Sequence, residues 1–316
     1  MHTYYAPLDE GEHDAAQAAA AAIGHQPLTE VGRRAIQHYL KKIRKSMLVA
    51  REGTDIEGVH DLRVATRSLR ATLEMLEETP VFDADQLQDL HRRLRRLAQM
   101  LGEVRDLDVF LDRVAEFKRS HPTPQGGLRA LSDLLRKRRT RANTRLLKEL
   151  DRARTHRLLD ELRWLAHHPS GRGEATPAPV RQFAGSAIWR RYEAVLAFEP
   201  KMPDATPETL HALRIAGKHL RYVLELIDDA QDAETHPALA VLHDTQDHLG
   251  RLHDDVVALQ TVAELRAERP HDDALTTYGT LLAAERDSLC ATVGPLWERL
   301  SGFPMRRHLA GFIAAL

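Results

Sequence analysis

The amino-acid sequence predicts an all-α protein built from long helices. Aromatic residues make up only 5% of its 316 residues, and Ala, Leu and Arg, which lose little side-chain freedom on entering a helix, are abundant. From residue 29 to residue 167 the helical pattern is almost uninterrupted. No stretch shows the sustained alternation of β-branched or aromatic residues with polar ones that is typical of a half-buried strand.

Two helical blocks follow one another along the chain. Residues 1–28 form a predicted flexible tail, in which Gly24 and Pro27 end any short helix. The first helical bundle covers 29–168 and the second covers 180–316. The intervening segment 169–179 (PSGRGEATPAP) contains three Pro and two Gly, so it cannot continue a helix and is predicted to be a linker.

Eleven helices are predicted in the two blocks. They lie near 29–52, 57–78, 84–101, 104–119 and 128–166 in the first block, and near 180–198, 206–229, 236–249, 252–268, 271–299 and 304–315 in the second. The pairs Leu101-Gly102 and Leu249-Gly250 predict kinked junctions, because glycine is a poor helix former.

The second block repeats the first. The segment VHDLRVATRSLRATLEML from Val59 aligns without gaps on LHALRIAGKHLRYVLELI from Leu210, at an offset of 151 residues. Further on, LGEVRDLDV from Leu101 aligns on LGRLHDDVV from Leu249, at an offset of 148. Two matches in the same order with a small change of offset predict a duplicated domain with one altered loop.

The two blocks carry opposite charge, although the formal net charge of the whole chain is only −1. Residues 29–168 contain 30 Lys and Arg against 21 Asp and Glu, whereas residues 180–316 contain 14 against 20. The neutral total therefore argues against a generally basic protein but leaves room for a local cationic site.

Each block places four cationic residues along one helix, at spacings of 3, 4 and 3. These spacings confine the side chains to an arc of roughly 80° beside a separate stripe of leucines. The first ridge is His60, Arg63, Arg67 and Arg70. The second ridge is His211, Arg214, Lys218 and Arg221.

The repeated ridges predict a polyanion ligand. A solvated basic face is the alternative for any single helix, but the pattern recurs in the acidic second block. No acidic residue is expected at i±4 inside either ridge, so the like charges repel by roughly a few tenths of a kcal/mol per pair. Arg and Lys suit phosphate, and His gains a charge near pH 6.5.

Further basic residues extend this predicted surface. They are Lys41, Lys45, Arg138, Arg190, Arg105 and His253. The first four, taken singly, are also typical of solvated faces. Arg105 and His253 occupy aligned positions and precede Asp106 and Asp254, which are expected either to orient a cationic neighbour or to cap the next helix.

The motifs VHDLRVATRSLR with LGEVRDLDV, and LHALRIAGKHLRY with LGRLHD, resemble those of the CHAD domain, the conserved histidine α-helical domain. The resemblance covers about residues 29–300. It implies two four-helix bundles related by a pseudo-twofold axis, and a basic surface or pore between them that binds inorganic polyphosphate. Ser68 and His219 stand where the family often has Arg or Lys, which implies weaker neighbouring sites.

By this resemblance the binding positions are the two ridges together with Arg105 and His253. No catalytic residue, metal ligand or cofactor is expected. Two alternatives stay open. A metal-dependent phosphohydrolase would use the His-Asp pairs, one of which is His60-Asp61. A nucleic-acid binder would need aromatic stacking platforms, and neither ridge contains one, although Tyr222 follows the second.

The expected partner is inorganic polyphosphate, with no membrane contact, nucleic acid disfavoured and a homo-oligomer left open. The single cysteine, Cys290, and an N-terminus without an apolar signal segment predict a cytoplasmic protein. Polyphosphate granules are the further expected location.

Overall fold

The chain folds into helices and short turns. The computed structural model describes six stretches, which are residues 23–52, 56–79, 82–121, 126–168, 178–227 and 237–316. Within these stretches there is no β-strand, only an isolated bridge between Pro27 and Pro179. The all-α prediction is therefore confirmed. Most of the predicted tail and of the predicted linker lies outside the described residues.

Eleven α-helices lie within the described stretches. The first five are α1 (Leu28–Glu52), α2 (Ile56–Glu77), α3 (Ala84–Ser120), α4 (Gly126–Leu150) and α5 (Ala153–His167). The others are α6 (Arg181–Leu196), α7 (Pro207–Ile227), α8 (Pro237–Glu268), α9 (Asp273–Ala291), α10 (Val293–Ser301) and α11 (Phe303–Ala315). In each half three helices are followed by a broken fourth, α4–α5 or α9–α10, and the second half continues with α11. The pseudo-twofold duplication stays a prediction.

The predicted helix ends at residues 101 and 249 are wrong. Helix α3 runs without a break through Gly102, where separate helices were expected at 84–101 and 104–119. Helix α8 likewise continues through Gly250. An interior glycine costs a helix only about 1 kcal/mol relative to alanine, and the burial of an apolar face outweighs that cost.

Two predicted long helices are instead broken. The expected helix at 128–166 ends at Leu150, and Arg152 adopts an extended conformation while the Thr155 hydroxyl donates to the Glu149 carbonyl over 2.7 Å. The expected helix at 271–299 breaks at Thr292. Pro295 explains the second break, because proline has no backbone N–H with which to continue the helix from the preceding turn.

Two apolar clusters hold the helices together. The larger one includes residues of both halves, such as Leu69 on α2 and Leu220 on α7, both fully buried. The smaller cluster joins the C-terminal parts of α3 and α8 to α4 and α9, with Tyr278 among its members. Helices α2 and α7 pack against each other, as do α3 and α8. The α2–α7 contact brings the two ridge-bearing helices together.

Ion pairs also link the halves, and two arginines that form them are partly buried or buried. The guanidinium of Arg191 on α6 donates to both carboxylate oxygens of Glu78, just beyond α2, over 2.8 and 3.1 Å. Arg113 on α3 pairs with the buried Asp255 on α8 and, over 3.2 Å, with Glu285 on α9. Burial raises the pKa of Asp255 while the Arg113 guanidinium lowers it. Breaking such a pair leaves a buried charge uncompensated, so these contacts fix the relative position of α2, α3, α6 and α8.

Candidate anion-binding site

The first ridge lies on α2 and the second on α7, and these two helices pack against each other. We call the two ridges together the cationic cleft. Its eight members are His60, Arg63, Arg67, Arg70, His211, Arg214, Lys218 and Arg221. Arg221 is only 7% exposed, and the other seven are of intermediate burial. The ridges are therefore not solvated faces, and their charges are partly removed from water.

Lys218 shows how closely the charges of the two helices approach one another. Burial is the main cause that lowers the pKa of Lys218 from 10.5 to about 7, and Arg214, Arg67, Arg63 and Arg221 lower it further, in that order. Arg67 and Arg63 belong to α2, whereas Lys218 belongs to α7. The cleft therefore concentrates positive charge from both helices around a lysine that is easily neutralised.

An aromatic ring lies between the ridges. The guanidinium carbon of Arg67 on α2 is 5.6 Å from the centre of the Tyr222 ring, and that of Arg221 on α7 is 5.1 Å from it. Both distances fall in the range of cation–π attraction, which orients guanidinium planes. The sequence showed Tyr222 only as the residue after the second ridge, since an aromatic outside the 3-4-3 pattern carries no signal of its own.

Hydrogen bonding in the cleft is incomplete. Among the described residues, a buried polar atom without a hydrogen-bond partner occurs in seven of the eight cleft residues, namely His60, Arg63, Arg67, Arg70, His211, Arg214 and Arg221. For each arginine the atom is Nε, and for each histidine it is Nδ1. Buried donors normally have partners, so this concentration indicates a surface arranged for an anion.

Carboxylates approach one end of the cleft. Asp106 on α3 pairs with Arg63, with 3.4 Å between Oδ1 and Nη2. Burial raises the pKa of Asp254 on α8, and the charge of Asp106 raises it further, while Arg214 lowers it. Asp106 thus orients a cationic neighbour, one of the two roles expected for it, and does not cap a helix because α3 is continuous.

The histidines at the same end respond to the cleft. The His253 ring, on α8, lies 4.3 Å from that of His211, between centres. Burial lowers the pKa of His211, and then His253 and Arg214 lower it further. Burial and Arg214 also lower the pKa of His253. The structure thus brings His253 to the second ridge. Arg105 is half-buried on α3, immediately before Asp106.

The other end of the cleft contains partners that the sequence reasoning missed. Arg70 donates from Nη2 to Nε2 of His91 over 3.5 Å, and Arg221 donates to Nδ1 of His243 over 3.3 Å. Glu225 lies 3.4 Å from Nε of Arg221 as an i+4 ion pair. The expectation that no acidic residue neutralises a ridge at i+4 is therefore wrong at this end.

Glu74, on α2, is another acidic residue at the same end of the cleft. Its carboxylate lies 3.0 Å from Nδ1 of His219 on α7, and this contact lowers the pKa of Glu74 against the opposing effect of burial. The charge of Glu74 also reaches Arg70. The acidic residues thus touch the outer members of the ridges. No carboxylate within the described ranges forms an ion pair with Arg67, Arg214 or Lys218.

Comparison with known proteins identifies the family. The profile of the CHAD domain matches residues 34–263, more than two thirds of the chain. The chain belongs to the CHAD domain family. The resemblance seen in the ridge motifs is therefore confirmed.

Solved structures share the fold. A crystal structure of the CHAD domain from the plant Ricinus communis superposes with a TM-score of 0.62 at 24% identity, covering 92% of each chain. The structure of PptA from Streptomyces chartreusis gives a TM-score of 0.66 at 21% identity, covering 87% of this chain and 99% of that one. No curated protein matches the chain. At these identities the likeness shows the all-helical fold alone.

Two glycines leave room for the arginines of this CHAD domain. A Cβ at Gly102 would lie 3.8 Å from Nε and Nη2 of Arg63, and a Cβ at Gly250 would lie 3.6 Å from the same atoms of Arg214. Each arginine therefore crosses the neighbouring long helix at its glycine. A methyl group fits at such distances, whereas a larger side chain would displace the guanidinium.

The structure places the remaining predicted residues of the CHAD domain on exposed surfaces. Lys41 and Lys45 on α1 are exposed, and Lys41 lines a groove of about 270 Å³ against α5. Arg138 lies 3.5 Å from Glu264 on α8, and Arg190 lies 3.2 Å from Glu78. None of these contacts involves a described residue of the cationic cleft. Their role in binding stays a prediction.

Proposed function

We propose that this CHAD domain binds inorganic polyphosphate in the cationic cleft and does not hydrolyse it. One observation carries the proposal: two packed helices bury arginine Nε and histidine Nδ1 atoms that have no hydrogen-bond partner among the described residues. Phosphate oxygens are strong acceptors, and arginine presents a planar fork that suits them. An extended anion with one charge on each phosphate would offset the repulsion along both ridges at once.

The aromatic content of the cleft favours inorganic polyphosphate over single-stranded nucleic acid. Stacking platforms carry much of the affinity of proteins that bind single strands. Tyr222 is in the cleft, but the guanidiniums of Arg67 and Arg221 already lie over its ring. A nucleobase would have to displace a guanidinium that also serves the phosphates. Competition between polyphosphate and DNA or RNA of equal charge tests this preference.

The pair His243-Asp244 does not converge on one point as a metal-dependent hydrolase would need. His243 faces Arg221 and Glu225, whereas its neighbour Asp244 pairs with Arg299 over 2.7 Å. Adjacent helical residues diverge by about 100°, which explains the separate partners. In the described part of the chain, no group of three or more His, Cys, Asp and Glu residues could hold a metal ion. Phosphate release from polyphosphate with Mg²⁺ or Mn²⁺ would establish the hydrolase instead.

The double variant Arg63→Glu with Arg214→Glu tests the binding proposal. It reverses one charge in each ridge, so we expect no measurable polyphosphate binding and an unchanged helical circular dichroism signal. The matched control is Arg129→Glu with Arg307→Glu, which makes the same charge change at exposed positions of α4 and α11. Tight binding by the folded ridge variant would refute the proposal.

We further propose a location in the cytoplasm, with polyphosphate granules as the binding target. None of the described helices is long and apolar enough to cross a membrane. A fluorescent fusion should collect at granules in cells that make polyphosphate and disperse when the ridge arginines are reversed. Light scattering with and without polyphosphate would settle whether the domain forms a homo-oligomer.

A further inference from the structure

Tyr222 is the feature of the cleft that charge patterning does not explain. It lies on α7 immediately after Arg221 and is half-buried. Its hydroxyl is buried and has no hydrogen-bond partner among the residues that the structure describes. The aligned residue of the first half is Ala71, which lines the same small cavity as Tyr222. One aromatic side chain thus occupies the space between two aligned helices.

Most charged groups around the phenol are cationic; Glu74 also lines the small cavity beside it, but its carboxylate pairs with His219. Arg67 and Arg221 lie over the ring. The phenol is also among the groups that act on the pKa values of Arg67, Arg70 and Arg214, so its oxygen lies within electrostatic reach of both ridges. Arginine offers donors and no acceptor. A hydroxyl among arginines therefore has its own proton available to donate.

A buried hydroxyl without a hydrogen-bond partner destabilises the folded protein. Its desolvation is unfavourable by roughly 1–3 kcal/mol unless an acceptor arrives. Phenylalanine would give the same ring over the same guanidiniums without this cost. The Tyr222 hydroxyl, unlike that of Tyr278 in the smaller apolar cluster, lies among the cations of the ridges, so an anion bound in the cleft would bring the acceptor oxygen that it lacks.

We propose that the Tyr222 hydroxyl donates a hydrogen bond to a phosphate oxygen of the bound chain, as an uncharged anchor between Arg67 and Arg221. This inference rests on the proposed binding of polyphosphate. It assigns the ring and the hydroxyl separate tasks: the ring orients the two guanidiniums, and the hydroxyl contacts the ligand. A neutral donor displaces no counterion, so its contribution persists when salt weakens the ionic contacts.

The variant Tyr222→Phe separates the hydroxyl from the ring. Polyphosphate affinity is measured for the wild type, Tyr222→Phe and Arg67→Gln over a series of salt concentrations. Loss of a hydrogen bond to a charged acceptor should weaken binding by about ten-fold in Tyr222→Phe. The slope of log affinity against log salt should stay at the wild-type value in that variant, whereas Arg67→Gln should reduce it by roughly one.

Tyr278→Phe is the matched control. Tyr278 also has a buried hydroxyl without a partner among the described residues, but it belongs to the smaller apolar cluster and not to the cleft. Its loss should leave affinity and salt slope unchanged. As a second measurement, the ultraviolet difference spectrum on polyphosphate binding should contain a tyrosine signal that Tyr278→Phe keeps and Tyr222→Phe loses.

The outcomes distinguish this inference from the function on which it rests. If the wild type fails to bind polyphosphate, the proposed function is refuted together with the anchor. If the wild type binds and Tyr222→Phe binds within two-fold of it, the function stands and the anchor is refuted. A changed salt slope in Tyr222→Phe would also overturn the anchor, because it would mean that the hydroxyl acts through the arginines.

Discussion

Replacing Lys218 by methionine should stabilise the ligand-free protein and weaken its binding of polyphosphate. Lys218 is half-buried among arginines of both ridges, and burial together with these charges lowers its pKa from 10.5 to about 7. Below pH 7 the folded protein must therefore carry a charge that its surroundings disfavour. Methionine has a similar length and shape, and it removes this charge without emptying the site.

The size of the stability gain expected for Lys218→Met follows from proton linkage. A basic group with a lowered pKa binds more protons in the unfolded chain between about pH 7 and 10.5, so stability rises with pH across that interval and the full cost is present below it. The difference between the two pKa values corresponds to about 5 kcal/mol at most. Because water still reaches part of the side chain, we expect Lys218→Met to gain about 1–3 kcal/mol at pH 6.

Urea unfolding with the matched variant Lys148→Met checks this expectation. Lys148 is exposed near the end of α4, so its replacement should leave stability almost unchanged. The gain for Lys218→Met should shrink as the pH rises from about 6 to 9.5, because Lys218 becomes neutral in the folded wild type. The same variant should bind polyphosphate about ten-fold more weakly at pH 6. An unchanged or lowered urea midpoint at pH 6 would refute the electrostatic reasoning.

Two further predictions concern the glycines of the long helices and the titration of the cleft. The double variant Gly102→Ala with Gly250→Ala should raise stability by up to about 1 kcal/mol per site and preserve polyphosphate affinity. Gly102→Leu, in contrast, should weaken binding by displacing Arg63. Thermal unfolding measures the stability, and calorimetric titration measures the affinity. Polyphosphate affinity should fall between about pH 6 and 8.5 as the cleft loses protons, and Lys218→Arg should flatten this fall because arginine stays charged. Equal pH profiles for the two proteins would show that Lys218 does not titrate in this range.

The sequence was sufficient to predict the two ridges because both are local patterns, whereas the resemblance to the CHAD domain implied that they share one basic surface. Spacings of 3, 4 and 3 place cations on one face of a helix whatever surrounds it. The leucine stripe beside each ridge fixes which face is buried, and Leu69 and Leu220 are indeed fully buried. The fold class therefore followed from composition and periodicity, and the residues of the two ridges followed from periodicity.

The neighbours of the ridges could not be predicted, because they come from other helices. His91 and His243 meet Arg70 and Arg221 only through the packing of α3 and α8. The contact between Tyr222 and Arg67 could not be predicted either, because it depends on the packing of α2 against α7. The helix ends expected at Leu101-Gly102 and Leu249-Gly250 were wrong because they too depend on packing. The local cost of glycine is small beside the burial of the apolar face that keeps α3 and α8 continuous.

The position of the acids explains how a nearly neutral protein keeps a strongly cationic cleft. Asp106 and Glu225 pair with the outer arginines of the ridges, which holds those side chains in place before a ligand arrives. Of the central members, Arg67 lies over the Tyr222 ring and Lys218 is half-buried among arginines of both ridges. Preorganised ends reduce the entropy lost on binding, and an uncompensated centre keeps the strongest attraction for the anion. The net charge of −1 is thus the sum of basic residues, some of which are concentrated in the cleft, and acidic residues that lie mostly outside its centre.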